Sequence, residues 1–257
     1  MFKMKIMFIG DIYGQQGIDY LKEKMSFLKN NYKPNLIVAN AENAHKGRGL
    51  SYKNYKNLTN SGVNAITMGN HTWDNPELTN FIDNTNIVKP INDLVNIGIG
   101  YKIINCKEQK VLIINALGRV FIDDKLSCPF KKIENILDKC KLQYNFSFLD
   151  FHAEATSEKI SLAHHFDGKI DAIVGTHTHV QTNDDRILPK KTLYITDVGM
   201  TGCSEGVIGK QKEPMIRSFL DRSLKISKPN AIGKRQLNGV LLTLDSSKKI
   251  EKINLQE

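Results

Sequence analysis

Cysteine is scarce in this sequence, and no two cysteines stand in C-x-x-C spacing. The 257 residues contain four of them, at positions 106, 128, 140 and 203. A disulfide framework or a zinc–thiolate site needs paired or clustered cysteines, so this pattern argues against both. We therefore expect reduced thiols in the core or at the surface.

Long apolar runs are missing as well. No stretch approaches the ~20 consecutive apolar residues that a membrane-spanning helix needs. The first residues lead almost directly into a strand-like run, without the apolar segment and small-residue cleavage site of a signal peptide. We expect a cytoplasmic protein without membrane association.

Linkers, internal repeats and low-complexity tracts are also lacking. A chain of this length is within the range of one large α/β domain. We therefore predict a single domain over residues 1–257, with room for a small cap-like insertion in the middle of the chain.

Positive charge is present in excess, because 36 Lys and Arg face 27 Asp and Glu and leave a net charge of +9. Such a charge suits anionic substrates or nucleic acid. The lysines are spread along the whole chain, however, so the charge alone does not select a partner. A nucleic-acid partner stays open, but no feature of the sequence calls for one.

Short apolar runs alternate with helical patterns, and the second half of the chain is richer in strand patterns. The predicted strands cover residues 4–9, 35–39, 63–68, 98–105, 110–117, 146–151, 170–174, 192–196 and 239–244. The strands 98–105 and 110–117 should pair antiparallel, and 239–244 should form a closing hairpin with the last residues. This order predicts an α/β fold in which a sandwich of mixed sheets is covered by helices.

Capping residues give the predicted helix ends. Gly14 to Gly17 form a turn, and a helix covers 19–28. Ser51 caps a helix that stops before Gly62, and Asn75-Pro76-Glu77 opens the next. Two further helices cover 130–140 and the segment from the cap Ser157 to Phe166.

The segment 175–179, Gly-Thr-His-Thr-His, follows the apolar run 170–174 directly. Two histidines at i and i+2 point the same way on an extended segment or turn, so both can approach one ion or two adjacent ions. Imidazole is the commonest metal ligand. The pattern therefore predicts a metal site at the end of a strand.

Ligand-type residues follow predicted strands at five places in the chain. They are Asp11, Glu42 with Asn43, Asn70 with His71, His152, and His177 with His179. Sites in open α/β sheets lie beyond the carboxyl ends of the strands, so these side chains can meet. Carboxylate, amide oxygen and imidazole suit borderline divalent metals, and the set is too large for one tetrahedral ion. Two metals are the natural interpretation.

The same residues occur in the order of the motifs of calcineurin-like metallophosphoesterases. That superfamily shows Asp-x-His, Gly-Asp, Gly-Asn-His, a lone His and Gly-His-x-His. The segments here are Gly10-Asp11, Glu42-Asn43, Gly69-Asn70-His71, His152 and Gly175-Thr-His-Thr-His179. The resemblance covers nearly the whole chain and implies that superfamily's β-sandwich of two mixed sheets, flanked by helices in α-β-β-α layers.

Two departures from the superfamily motifs narrow the resemblance to one branch. Tyr13 stands where the first motif has its His, and Glu42 stands in place of the bridging Asp. Both, together with the segment Asp197-Val-Gly-Met-Thr-Gly202, resemble the YmdB-type branch of bacterial phosphodiesterases that act on cyclic nucleotides, 2′,3′-cyclic AMP among them. Cys203 replaces a Pro of that branch, outside the ligand set.

The resemblance implies two metal ions, divalent or of mixed valence, with Fe or Mn favoured and Zn also open. One ion would take Asp11, Glu42, Asn43 and His179, and the other Glu42, Asn70, His152 and His177. Asn43 would replace the missing imidazole with an oxygen, which weakens a zinc preference. A hydroxide bridging the ions would attack phosphorus, and His71 would protonate the leaving alkoxide as general acid.

We accordingly expect a phosphodiesterase with a small cyclic-nucleotide substrate, acting as a homo-oligomer. Trp73 and Tyr13 lie near the ligands in sequence, and either ring could stack on a base. Two alternatives stay open: a phosphomonoesterase or protein phosphatase on the same fold, and a metal-stabilised module that binds RNA or protein. Each ligand also has an ordinary structural interpretation, for example Asp11 as a turn residue or Glu42-Asn43 as an exposed loop pair.

Overall fold

The computed structural model describes residues 4–257, in which fourteen strands and five α-helices form. The strands are β1 Lys5–Ile9, β2 Asp11–Ile12, β3 Leu36–Asn40, β4 Ala65–Thr67, β5 Ile87–Val88, β6 Tyr101–Cys106, β7 Gln109–Leu117, β8 Phe146–His152, β9 Ala172–Thr176, β10 Arg186–Ile187, β11 Leu193–Ile195, β12 Met200–Cys203, β13 Arg235–Thr243 and β14 Lys249–Gln256. The helices are α1 Gly14–Tyr32, α2 Tyr52–Ser61, α3 Pro129–Lys139, α4 Thr156–His165 and α5 Lys212–Leu220.

The first sheet contains eight strands in the order β2-β12-β13-β1-β3-β4-β5, with β14 paired to β13. Strands β1, β3, β4 and β5 run parallel, whereas β13 lies antiparallel beside β1. The predicted closing hairpin is confirmed as β13–β14. Because the hairpin lies next to β1, the last part of the chain completes the sheet that the first part begins.

The second sheet contains six strands in the order β10-β11-β9-β8-β7-β6. Its four central strands are parallel, and an antiparallel strand lies at each edge. The antiparallel pairing predicted between the segments 98–105 and 110–117 is confirmed as β6–β7. Both sheets are therefore mixed, as predicted.

Three apolar cores separate four layers. The two sheets face each other across the middle core, where the rings of Phe8 and Phe148 lie 5.2 Å apart and neither is exposed. Helices α1 and α2 cover the first sheet through residues such as Leu21 and Leu58. Helices α3 and α4 cover the second through residues such as Leu162. The predicted α-β-β-α sandwich is confirmed, and truncation of either Phe should cost about 3–5 kcal/mol.

Two predicted helix starts are wrong. Gly14 already begins α1, and Gly17 lies inside it, where a Cβ would meet the Thr201 carbonyl oxygen at 2.3 Å. Gly17 therefore permits close packing of α1 on β12 and is not part of a turn. Helix α4 begins after Ala155, whose carbonyl accepts the first main-chain bonds, so Ser157 is not its cap.

Other local predictions hold. The hydroxyl of Ser51 accepts from the main-chain N–H of Asn54, and Gly62 ends α2 with a positive φ. Asn75 caps the next segment through a bond from Glu77 N, but Pro76–Asn80 is a short 3₁₀-helix. None of the helices in the described part of the chain is long and apolar enough to cross a membrane.

Candidate metal centre

The predicted ligands from both sheets meet at one edge of the sandwich. The first sheet supplies its residues from β2 and from the segments after β3 and β4: Asp11, Glu42, Asn43, Asn70 and His71. The second sheet supplies His152 at the end of β8, and His177 and His179 just after β9. Asp11 and His152 are fully buried, and Glu42 and Asn43 are 1% and 3% exposed. The interpretation of Glu42-Asn43 as an exposed loop pair is therefore wrong.

One group of ligand atoms surrounds Nε2 of His152. This nitrogen lies 2.9 Å from Oδ1 of Asn70, 3.0 Å from Nδ1 of His177 and 3.2 Å from Oε1 of Glu42. Glu42, His152 and His177 each offer a ligand atom within 4.8 Å of the others. These three side chains can hold a divalent ion.

The hydrogen bonds around these histidines engage one ring nitrogen of each and turn the other nitrogen toward the group. Nδ1 of His152 lies 2.9 Å from the Thr176 hydroxyl, which donates its own proton to Asp150 at 2.7 Å. The hydroxyl therefore accepts from Nδ1–H. Nε2 of His177 lies 3.0 Å from the carboxylate of Glu154, so Nδ1 is its free nitrogen. Burial and the neighbouring His152 lower the pKa of His177 to about 3. Nε2 of His152 and Nδ1 of His177 thus face each other, and a single cation, whether a proton or a metal ion, satisfies that arrangement.

A second group of ligand atoms lies around His179. Its Nδ1 donates to the Ile208 carbonyl at 3.1 Å, which leaves Nε2 facing Oδ1 of Asn43 at 3.2 Å. The Asn43 amide is oriented by its Nδ2–H, which donates to the Gly47 carbonyl at 3.1 Å. Burial lowers the pKa of His179, which favours the neutral ring. Again two electron-pair donors face each other.

Asp11 lies between the two groups. Its Oδ2 accepts from the main-chain N–H of His177 at 3.2 Å, whereas Oδ1 is buried without a hydrogen-bond partner. Oδ1 lies 3.8 Å from Nδ1 of His152 and 4.0 Å from Nε2 of His179. A buried carboxylate oxygen without a partner is costly, and a metal ion removes that cost. The residues present therefore fit a metal.

Electrostatics give the same result. Burial raises the pKa of Asp11 well above its usual range. Burial also acts to raise the pKa of Glu42, but contacts with His152 and His71 prevail and lower it to about 2. Burial opposes a proton on His152, yet Glu42 and Asp11 prevail and raise its pKa to about 9. The carboxylates therefore stabilise positive charge at Nε2 of His152; without a metal that charge is a proton, and a bound metal ion would replace it.

Gly69 gives the ligands room to converge. A Cβ at this position would lie 2.3 Å from Oε2 of Glu42 and 2.5 Å from Nε2 of His152. Any other residue would thus occupy the space between the ligand atoms. The Gly before Asn70 is required by the site itself.

His71 lies at the rim of the group, with 22% of its side chain exposed. Its main-chain N–H donates to Oε2 of Glu42 at 2.8 Å, and its Nδ1 lies 2.9 Å from Oδ2 of Asp74. It lines a cavity of about 180 Å³ that Asn43, His179 and Lys210 also line. Because Asp74 engages Nδ1, Nε2 is the ring nitrogen left for a further contact.

Tyr13 does not replace the missing imidazole as a ligand. Its ring packs edge-on against His179, with centroids 5.5 Å apart, and Lys210 lies over its outer face. Burial raises its pKa to about 12, so the phenol stays protonated. Tyr13 therefore positions His179 by contact.

Sequence reasoning missed a buried polar layer behind the histidines. Asp150 is unexposed in β8 and accepts hydrogen bonds from Thr67, Asn40 and Thr176. The signal was present, since a carboxylate in the interior of the apolar strand 146–151 needs a buried partner.

The second missed element is an ion pair beneath the histidine segment. Lys159 is 1% exposed, and its ammonium donates to Asp197 and to the Thr176 carbonyl, both at 2.8 Å. Asp197 also accepts from the main-chain N–H groups of Thr178 and Gly199. A lysine within a helix gave no sequence signal, because most such lysines lie in solvent.

Two mixed sheets between helices, with oxygen and imidazole ligands at the carboxyl ends of the strands, define the class of the protein. It has the fold of the calcineurin-like metallophosphoesterases. Within that class a family model described as "YmdB-like protein" matches residues 7–255. The chain belongs to this family and to the phosphoesterase class of enzymes, which confirms the resemblance inferred from its motifs.

Relatives of known name or structure match over nearly their whole length. A Bacillus subtilis protein named "2′,3′-cyclic-nucleotide 2′-phosphodiesterase" is 46% identical over 250 residues, covering 96% of this chain and 93% of that one. A crystal structure of a "novel phosphatase" from Mycoplasma pneumoniae is 38% identical with a TM-score of 0.93, covering 100% and 95%. A hypothetical protein from Thermus thermophilus is 33% identical with a TM-score of 0.92, covering 99% and 100%.

Proposed function

We propose that this protein is a metal-dependent phosphodiesterase that hydrolyses cyclic nucleotides such as 2′,3′-cyclic AMP. The observation that carries the proposal is the set of facing electron-pair donors from both sheets, with His71 at its rim. The name of the Bacillus subtilis relative supports the substrate class, because 46% identity extends over 96% of this chain.

The ligand groups favour two ions. The first would be held by Asp11, Glu42, Asn43 and His179, and the second by Glu42, Asn70, His152 and His177. When bound, such ions polarise a phosphoryl oxygen and lower the pKa of water, which supplies a nucleophile at neutral pH. Oxygen ligands on the Asn43 side lean toward Fe or Mn, with Zn still open.

His71 is the proposed general acid. Asp74 accepts from its Nδ1, which holds the ring in place. Nε2 can then donate a proton to the alkoxide that leaves phosphorus. Arg48 and Lys210 line the same cavity, and their charges suit an anionic phosphodiester.

The proposal is tested with apo protein to which Mn, Fe or Zn is added back singly. We expect hydrolysis of 2′,3′-cyclic AMP only with metal, at a rate well above that for phosphomonoesters. If the protein cleaves only phosphomonoesters, it is a phosphatase and the proposal is wrong. A phosphatase is the second candidate function because the Mycoplasma pneumoniae structure is described as a "novel phosphatase". Absence of both activities, with metals bound, would favour a binding module.

A further inference from the structure

A second cavity, of about 360 Å³, opens on the other side of the candidate ligands Asn70 and His177. Its walls combine the carboxylates of Asp93 and Asp123 with aromatic and aliphatic side chains, among them Trp73, Phe121 and Leu126. Because it begins at two predicted metal ligands, a molecule that contacts the metal centre can extend into it. The cavity is thus continuous with the site and adds two aromatic side chains to it, Trp73 and Phe121.

We propose that this larger cavity binds the nucleobase of the substrate, with Phe121 as a stacking platform. The inference rests on the proposed phosphodiesterase function and adds the side on which the nucleoside lies. Every base has a flat π-face that stacks on an aromatic ring, whatever its hydrogen-bonding pattern. The cavity therefore suits purine and pyrimidine nucleotides, with purines favoured by their larger face.

Trp73 is a fixed wall of this cavity. Its indole N–H donates to the carboxylate of Asp93, and its ring is partly buried against the core between the first sheet and helices α1 and α2. Asp93 also lies 3.8 Å from the ammonium of Lys89 and accepts from Val95 N at 3.1 Å. The indole is held before any ligand binds, so little ordering is needed on binding.

Phe121 has features that core packing does not explain. Its side chain is 86% exposed, although it carries no polar atom for water to solvate. Its backbone has φ 62°, a left-handed conformation that a Phe rarely adopts. Such strain concentrates at ligand-binding sites.

The loop that carries Phe121 is anchored from below. The carboxylate of Glu158 in α4 accepts from the main-chain N–H groups of Arg119 and Val120 at 3.0 to 3.2 Å. The carbonyl of Arg119 in turn accepts from Ile122 N at 3.1 Å. The exposed ring is therefore presented at the cavity mouth by a hydrogen-bonded turn.

The cavity on the His179 side is a poorer place for a base. It measures about 180 Å³, and Arg48 and Lys210 line it. Its charge and size suit the phosphodiester group. Asn70 and Trp73 line the larger cavity and His71 the smaller, so the segment 69–73 passes between them. A phosphate at the metals therefore places its nucleoside on the side of Trp73 and Phe121, where the cavity has twice the volume.

The test compares 2′,3′-cyclic AMP with the 2′,3′-cyclic phosphate of methyl riboside, which lacks a base. Phe121→Ala should raise KM for 2′,3′-cyclic AMP about 5- to 150-fold with kcat nearly unchanged, the range expected for loss of one stacking contact. The base-free substrate should be hydrolysed as by the wild type. Val120→Ala is the matched control, because Val120 is a 40% exposed apolar neighbour outside the cavity lining.

Equal effects of Phe121→Ala on both substrates, or no effect on either, would overturn the proposal. Hydrolysis of neither substrate by the wild type would instead refute the proposed function. In that case the base site is tested on its own, by measuring the binding of adenosine with ligand-observed NMR. Saturable binding that Phe121→Ala weakens and Val120→Ala retains would support the cavity as a base site, and equal binding by all three proteins would refute it.

Discussion

The two sheets contribute to the candidate metal centre in different ways. The first sheet supplies oxygen ligands, and the second supplies only imidazoles. The oxygen side consists of Asp11, Glu42, Asn43 and Asn70, and the imidazole side of His152, His177 and His179. An ionised carboxylate offers about four acceptor sites, whereas a neutral imidazole offers one, and only in the correct tautomer. The imidazole side therefore needs more support from its surroundings.

The hydrogen bonds show this difference. Each of the three histidines donates one ring N–H to a protein oxygen and turns its other nitrogen toward the ligand group. The acceptors are the Thr176 hydroxyl, the Glu154 carboxylate and the Ile208 carbonyl. On the oxygen side Oδ1 of Asp11 has no hydrogen-bond partner at all.

The backbone conformations also differ between the imidazole side and the oxygen side. His177 and His179 have φ values of 100° and 66°, whereas the four oxygen ligands have no positive φ. Non-glycine residues in that region are strained and persist only when their surroundings hold them. The Lys159–Asp197 pair does so by binding the main chain at Thr176 and Thr178. The backbone of the segment that carries His177 and His179 thus depends on a buried charge pair.

The largest expected effect is loss of a ligand from either side. His177→Ala and Asn70→Ala should each empty one metal position and remove activity, with the fold retained, because both sides complete the same ion. Metal content by mass spectrometry and circular dichroism check this. His164→Ala, an exposed histidine of α4, is the control. At most one ion per wild-type chain after reconstitution would contradict the two-metal arrangement.

His71 is the exception on the oxygen side, since it is an imidazole that we do not expect to bind metal. His71→Ala should keep both metals and lose about 10²–10⁴-fold on 2′,3′-cyclic AMP, the usual contribution of a positioned acid. The loss on bis-nitrophenyl phosphate should be much smaller, because a nitrophenolate leaves without a proton. The main-chain bond to Glu42 survives in the variant.

Kinetics with both substrates and metal analysis check this expectation. Equal losses on the two substrates would show that His71 orients substrate or stabilises charge. Loss of a metal would make it a ligand and would remove the distinction between the two sides.

The next largest effect should be a loss of stability when the buried ammonium of Lys159 is removed. Lys159→Met leaves the Asp197 carboxylate buried without a cation, which should cost about 3–5 kcal/mol in the free energy of unfolding. Lys22→Met, at an exposed position of α1, should change it by no more than about 0.5 kcal/mol. Urea denaturation measures both. Similar values for the two variants would mean that the ion pair does not hold the histidine segment.

The smallest expected effect distinguishes control of the His152 tautomer from a contribution to fold stability. Thr176→Val removes the hydroxyl that contacts both His152 and Asp150, whereas Thr67→Val removes one that contacts Asp150 alone. Both hydroxyls are fully buried, so stability should fall by a similar amount, about 1–3 kcal/mol. Metal affinity should fall about 10- to 100-fold only in Thr176→Val. Equal affinities, measured by competition with a chelating dye, would contradict a role for the Thr176 hydroxyl.

Much of the fold could be predicted because its signals are local. The apolar runs 4–9 and 35–39 and the cap Ser51 act over a few residues, and the structure contains each. One error came where a distant contact decided the outcome, since Gly17 packs on Thr201, which is remote in the chain. The other is local, because α4 begins after Ala155 and the predicted cap Ser157 lies inside the helix.

The sequence by itself determined which strand ends carry ligand-type residues, since parallel strands bring their carboxyl ends to one edge. Only the tertiary structure decided which nitrogen of each histidine faces the group, because the acceptors at Thr176, Glu154 and Ile208 come from different parts of the chain. It also decided that Phe121 and Asn70 line the same cavity. Ligand identity is a local property of the chain, whereas ligand orientation is set by contacts between segments that only folding brings together.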